Sequence, residues 1–207
     1  MASKVSICNM ALGYLNHAIR IAAIDEGSNE ADQCALYYEP ALRTALRAAP
    51  WAFAMRYETL ADLGTPVSPN WTVMYAYPSD AVAIRAILPV VRGTPPNRWE
   101  VALAPALGTK VVMCDVGDAT AAYSAFVDDP TLYDAGFVSA FAWALAAEMA
   151  IVLTGSLQLK SLAEQQFQRA VNAAFVSNGS EGIGPQAVEA EWVRGRYDSG
   201  YPDEGLG

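Results

Sequence analysis

Between Ala135 and Leu153 the sequence runs for nineteen residues with a single charge, Glu148. A helix built from it has no polar face to turn to water, so either lipid or other parts of the chain must surround it. Its length is close to the roughly 20 residues that cross a bilayer. The segment is mostly alanine and aromatic, however, and alanine contributes little to insertion. Glu148 would be costly in lipid, and no Lys/Arg cluster flanks the run to set an orientation. The reading is a core helix, which obliges the rest of the chain to supply helices or sheets that cover it.

The 207 residues can do this, because a globule of that size buries about 70% of its unfolded surface. Hydrophobic residues make up 53% of the chain and charged residues 17%, below the ~25% of ordinary soluble domains, which leaves surface that charge does not protect. The net charge of −9, without any basic block, argues against gripping nucleic acid. Cys8, Cys34 and Cys114 are odd in number and set among apolar neighbours, as buried reduced thiols are. The N-terminus has no apolar signal region, which points to synthesis in the cytoplasm and makes the Asn-x-Ser/Thr matches at Asn70 and Asn178 chance occurrences.

Hydrophobic spacing predicts a first helix from Ser3 to about Asn16 through Ile7, Met10, Ala11, Tyr14 and Leu15. A second runs from caps near Asp25–Asn29 through Ala31, Cys34, Tyr38, Leu42 and Leu46 to Pro50, kinked at Pro40. Trp51 to Leu60 reads as a short third helix. The period then changes, and strands are predicted at Trp71–Tyr77, Val82–Leu88, Arg98–Leu103, Lys110–Val116 and Ala119–Val127, with Lys110–Cys114 buried on both faces. Helical spacing returns from Asp134 to Leu153, breaks at Gly155, and resumes after a Ser156 cap through Leu159, Leu162, Phe167, Val171 and Phe175.

The expected fold is α+β and mainly α. An antiparallel helical bundle (1–65 and 129–177) carries an inserted antiparallel β-module (66–128), a sheet or small barrel, and a flexible C-terminal tail (178–207). The tail holds six acids, two arginines and seven glycines with almost no aliphatic residue. Its Trp192, Arg194, Tyr197 and Tyr201 are anchoring-type residues suited to a partner's pockets. Fully extended, the tail reaches on the order of 100 Å.

No catalytic constellation emerges, and the chain is read as no enzyme, with no cofactor and no metal site. His17 is the only histidine and is placed to cap the first helix. Ser3, Ser6 and the cysteines lie in no nucleophile elbow. Asp128-Asp129 and Glu148 are the carboxylates that acid/base chemistry would have to use. Asp129-Pro130 reads as a turn instead, and Glu148 as one half of an ion pair or an interface residue. Gly179-Ser180-Glu181-Gly182-Ile183-Gly184 lacks the strand and helix of a phosphate loop and reads as a hinge. The aromatics Trp51, Phe53, Trp71, Tyr75 and Tyr77 lack interleaved Lys or Arg, so they read as core and interface packing and not as a base-stacking platform.

The order of residues adds a resemblance. Cys34-x-x-Tyr37-Tyr38-x-Pro40, Leu46-x-x-x-Pro50-Trp51-x-Phe53-Ala54, Leu60-Ala61-x-Leu63, Trp71 and Tyr75-x-Tyr77-Pro78-x-Asp80 are followed by an aromatic-alanine helix with Phe137, Phe141 and Trp143. A Leu-Thr-Gly break and a Gln-rich helix ending in Ala-Ala come next. Over about residues 3–176 this pattern resembles the tail tubular protein A family, the adaptor ring of short-tailed bacteriophages. The resemblance implies a virion protein at the head-tail interface, a ring of about twelve copies under the portal protein and above the tail nozzle. Double-stranded DNA would pass through the lumen without sequence-specific binding, and no membrane would be involved. It also implies that the C-terminal segment docks on the portal. The acidic balance and the glycine-rich end depart from the family pattern, so Trp192, Arg194, Tyr197 and Tyr201 are nominated as portal contacts on their chemistry. The expectation is a monomer soluble alone whose tail orders on meeting the portal, which truncation after Ser177 would test. A head-completion protein of a longer-tailed phage is the nearest rival, disfavoured by the predicted strands. A small hydrolase using Asp128, Asp129 or Glu148 and a peripheral membrane protein inserting 135–153 come from other classes.

Overall fold

The computed structural model of the chain describes residues 2–91 and 94–181. It is α+β and mainly α, with four helices and two small antiparallel sheets. Helix α1 (Lys4–Tyr14) starts in a capping box in which Ser3 and Ser6 each accept from the other's backbone N–H, at 2.8 and 3.1 Å. Helix α2 (Asn29–Ala48) begins at the Ser28 cap, with Glu30 and Asp32 favourably placed at its positive end. It continues through Pro40. Helix α3 (Ala135–Thr154) is capped by Asp134, whose carboxylate accepts from the Phe137 N–H at 2.7 Å, and is closed by Gly155 at φ 66°, a conformation that favours glycine. The Ser156 hydroxyl then starts α4 (Leu157–Glu181), accepting from the Leu159 N–H at 3.2 Å.

Helix α3 is the apolar run, and the other three helices cover it. Helix α2 lies antiparallel to it: Cys34 Sγ is 3.7 Å from Met149 Sδ, Tyr38 meets Phe141 edge-on at 5.0 Å, and Trp51, just past the end of α2, meets Phe137 at 5.0 Å. On the α1 side Tyr14 stacks on Trp143 with ring centroids 3.7 Å apart. Helix α4 returns along α3, burying Ala163, Phe167, Val171 and Ala174. The two backbones approach so closely at Gly136 that a Cβ there would lie 3.2 Å from Ala174 Cβ. Helix α3 is the one described helix long and apolar enough to cross a membrane, and it occupies the centre of this core.

The strands are β1 (Met55–Thr59), β2 (Val73–Ala76), β3 (Ala81–Leu88), β4 (Trp99–Ala104), β5 (Thr109–Cys114) and β6 (Thr120–Ala125). They form one sheet in the order β1-β6-β3 and another in the order β2-β5-β4. The chain beyond β1 ties the two together, since Leu63 N–H donates to Met74 O and Ala76 N–H to Ala61 O. On β5, Val112 and Cys114 face the main core while Val111 and Met113 join Met74 and Ala104 in a smaller cluster, which is the both-faces burial the sequence predicted.

The predicted third helix is corrected. Residues Ala52–Ala54 form one 3-10 turn, and Met55–Thr59 form β1, paired with β6 from Met55↔Ser124 to Thr59↔Thr120. The apolar run Trp51–Ala54 imitates a helix face, but Arg56, Tyr57, Glu58 and Thr59 are all exposed along an edge strand. Long-range pairing decided the segment, and local spacing did not record it. Trp51 is fully buried and donates from Nε1 to Ala45 O at 2.8 Å, folding the Pro-Trp segment back on α2. The predicted glycine hinge also starts too early, because Gly179–Glu181 continue α4; residues 182–184 lie outside the described residues, as do Trp192, Arg194, Tyr197 and Tyr201.

Bundle and sheet meet at Arg85 of β3. Its Nε donates to the buried Ser124 hydroxyl at 2.9 Å, and its Nη2 lies 2.9–3.1 Å from the carbonyl oxygens of Leu46, Arg47 and Ala49. A strand side chain thus caps the carboxyl end of α2, satisfying carbonyls that the helix cannot and placing a cation at its negative pole. Partial burial lowers the guanidinium pKa without discharging it. Replacing Arg85 with Met is expected to cost about 2–3 kcal/mol in urea unfolding, since the carbonyls lose a charged donor. Arg85→Lys should recover part of that loss, and equal stability of native chain and Arg85→Met would refute the capping role.

Candidate interaction surfaces

Most of the side chains that the sequence offered for chemistry have structural partners, and Glu148 has none among the described residues. Ser3 and Ser6 form the α1 cap. Asp129 accepts from Thr131 Oγ1 at 2.7 Å and Thr131 N–H at 3.0 Å, and these bonds hold its carboxyl below the usual range. Asp128 pairs with Lys4 at 2.5 Å. Glu148 is exposed on α3, and no ion pair forms at it among the described residues. The His17 backbone N–H donates to Leu12 O at 3.0 Å, which closes α1, while its Nε2 lies 3.4 Å from the buried Glu30. Cys8, Cys34 and Cys114 are free and buried. A hydrogen bond to Cys34, and then burial, push the Cys8 thiol up and keep it protonated. No group of three or more His, Cys, Asp or Glu side chains among the described residues could hold a metal ion.

One pair of carboxylates does converge. The Tyr123 hydroxyl lies 3.0 Å from both Glu58 and Asp80, with Arg56 3.6 Å from Asp80. Burial, and then these acceptors, push the phenol well above its ordinary range, so it donates and does not ionise. A single phenolic proton tying β1 to the turn before β3 is a structural arrangement. Of the expected aromatic packing, Trp51 and Tyr75 are buried, and Tyr75 bridges strands by donating to Val116 O at 2.8 Å and accepting from Ala119 N–H. Trp71 is held by Glu100 through Nε1 at 2.8 Å.

The unprotected surface forecast from composition is spread over the chain, from Ile19 and Leu36 to Ile151 and Val152, and two of its stretches lie on single elements. Helix α4 rests on α3 by one side, and its opposite side presents Leu157, Leu162, Phe175 and Val176, with Leu157 72% and Val176 75% exposed. Between these lie Ser161, Gln165, Gln168 and Asn172, and the only charges from 157 to 176 are Lys160, Glu164 and Arg169. Leu157, Gln158, Ser161, Leu162 and Gln165 line a shallow depression there. A second patch, Val101, Leu103 and Leu107, sits on β4 and its turn. Sequence spacing identified the inner stripe of α4 but assigned Leu162 and Phe175 to it. The signal that separates the faces is the Ala163, Phe167, Val171, Ala174 register, which leaves Leu162 and Phe175 one residue off the buried line.

Compared with known proteins, the chain matches no protein-family model and no curated protein.

Two tests follow from these assignments. Tyr38 is 7% exposed and its hydroxyl is the one buried side-chain polar atom without a partner among the described residues. Tyr38→Phe should therefore leave stability unchanged or raise it by up to about 1 kcal/mol in denaturant unfolding; a clear loss would reveal a partner for the hydroxyl. The carboxyls of Glu26, bonded by Ser28 and by the Ala22 and Ala23 N–H groups, and of Asp129 are both lowered on folding. Their stabilisation is complete above the unfolded carboxylate values of about 4 and is lost as pH falls through the lower folded ones. The stability gap between native chain and Glu26→Gln/Asp129→Asn should narrow as pH drops below about 4, read from thermal unfolding.

Proposed function

We propose that this chain is a structural, self-assembling adaptor without a catalytic role. In this reading it is a bacteriophage head-to-tail adaptor that forms a ring of about twelve copies under the portal protein. The ring joins capsid to tail nozzle in the virion and extends the channel through which double-stranded DNA passes without sequence-specific binding. Trp192, Arg194, Tyr197 and Tyr201 are the proposed portal contacts.

The observation that carries the reading is the outer side of α4. A helix of this length, held by one neighbour and faced with leucine, phenylalanine, valine, serine and glutamine, is a packing surface for another helix. The residue order that resembles the adaptor family is what supports this choice of assembly. Six strands in two sheets favour it over an all-helical head-completion protein.

The decisive experiment mixes the chain with its cognate portal and follows mass by light scattering and shape by negative-stain microscopy. Rings added coaxially to the portal are expected. A chain that stays monomeric and ignores the portal at several salt concentrations would overturn the proposal. In the same assay Leu157→Lys/Leu162→Lys should abolish ring formation while leaving circular dichroism and melting unchanged, because both side chains face solvent in the single copy.

A further inference from the structure

Arg43 and Arg47 lie one turn apart near the end of α2, and Lys110 reaches the same place from β5. With Thr44, Ala81 and Val82 they line a cleft of about 280 Å3 that contains no acidic residue. Arg43 is held in position by Glu39 at 2.8 Å and lies over the Phe126 ring at 4.3 Å. Arg47 donates from Nη1 to Val82 O at 3.1 Å. Neither Arg47 nor Lys110 has a carboxylate within 4.0 Å among the described residues. The Arg85 guanidinium, bonded to Arg47 O, adds its positive charge from behind. In a chain of net charge −9, such a cleft concentrates positive potential where most of the surface is negative.

The course of α4 indicates what can fill it. Ala174 packs on Gly136 in the first turn of α3, the neighbouring Phe137 meets Trp51, and Trp51 is hydrogen-bonded to Ala45 beside Arg47. Helix α4 therefore ends on the side of the bundle where α2 ends and the cleft opens. Beyond Glu181 the sequence continues for 26 residues that carry Glu189, Glu191, Asp198, Asp203 and Glu204 against Arg194 and Arg196. That length spans up to about 90 Å extended, and a 20-residue helix is only about 30 Å long.

We propose that the Arg43/Arg47/Lys110 cleft binds carboxylates of this chain's own 182–207 segment. This goes beyond the adaptor reading and differs from the expectation of a tail that orders only on a partner: the segment has a docking site on its own molecule, held by charge, from which a partner can compete it. Charged pairs at a half-open cleft are individually weak and screened by salt, so the contact is releasable.

The full-length chain at low concentration is treated with a zero-length carbodiimide cross-linker, and the monomer band is analysed by mass spectrometry. Lys110 is expected to be joined to an acid of 182–207, with severalfold less product in 0.5 M salt. Trypsin cleavage after Arg194 and Arg196 is expected to run severalfold faster in Lys110→Glu than in the native chain. Lys110 is exposed and makes no ion pair among the described residues, so this variant keeps the fold, which circular dichroism confirms. The absence of such a link in the monomer, or unchanged cleavage in Lys110→Glu, overturns the proposal. Links found only between copies in a dimer band also overturn it and assign the cleft to a second copy.

Discussion

Helix α3 has almost no polar surface to offer water, and the arrangement of the helices follows from that deficit. Ten of its residues are buried, six of them alanines. Small side chains let neighbouring backbones approach closely, so α1, α2 and α4 cover it with short contacts such as Gly136 on Ala174. Alanine contributes little transfer free energy of its own, whereas each large apolar side chain buried against it contributes about 1.5–3 kcal/mol. The stability of the bundle consequently resides in its large side chains, Ile7 and Leu12 of α1, Leu42 and Leu46 of α2 and Trp51 after it, packed with Phe137, Phe141 and Met149 of α3 itself. The aromatic set Trp51, Phe53, Tyr133, Phe137 and Phe141 gathers at the amino end of α3, where edge-to-face contacts fix rotation as well as burial.

Apolar burial alone would leave the sheets free to slide over this bundle. Direction comes from Arg85, whose single guanidinium is bonded both to the end of α2 and to Ser124 on the central strand of the β1-β6-β3 sheet. Donor geometry is angular and short-ranged, so it selects one docking register where hydrophobic contact would accept several. The Trp51 bond to Ala45 O performs the same service for the loop that leaves α2.

The parts legible in sequence were those whose causes are local. Four helices with their Ser3, Ser28, Asp134 and Ser156 starts, the Gly155 stop, and five strands came from spacing and caps. Strand β1 was missed because an exposed edge strand has no hydrophobic alternation to display, and its identity lies in β6, more than sixty residues away. The same reason hid Arg85 and the cation cleft. Arg43 and Arg47 are visible as an i,i+4 pair without an acid between them, but nothing in the local sequence announces that Lys110 joins them. Long-range juxtaposition of polar groups is a property of topology, and period counting does not contain topology. Surface excess, by contrast, was readable as a total from composition; its distribution, the outer side of α4 included, required the fold.

Size sets a limit on what that α4 surface can do alone. Twenty residues of helix are about 30 Å long and 10 Å across, an area near 300 Å2 on each copy, against the roughly 800 Å2 per partner of a stable interface. Two such faces bury too little to hold copies that each carry net charge −9 and repel one another. Repulsion between exposed charges fades beyond a screening length of about 8 Å at physiological salt, so it opposes close docking more than encounter. The proposed ring, if built on α4, would therefore need a second surface, for which the Val101, Leu103 and Leu107 patch on β4 and its turn is available, or a partner that holds several copies at once. In the proposed ring a single pairwise contact on α4 would be submarginal and ring closure would have to supply the remainder, the physical condition under which a subunit would stay dispersed until a template was present.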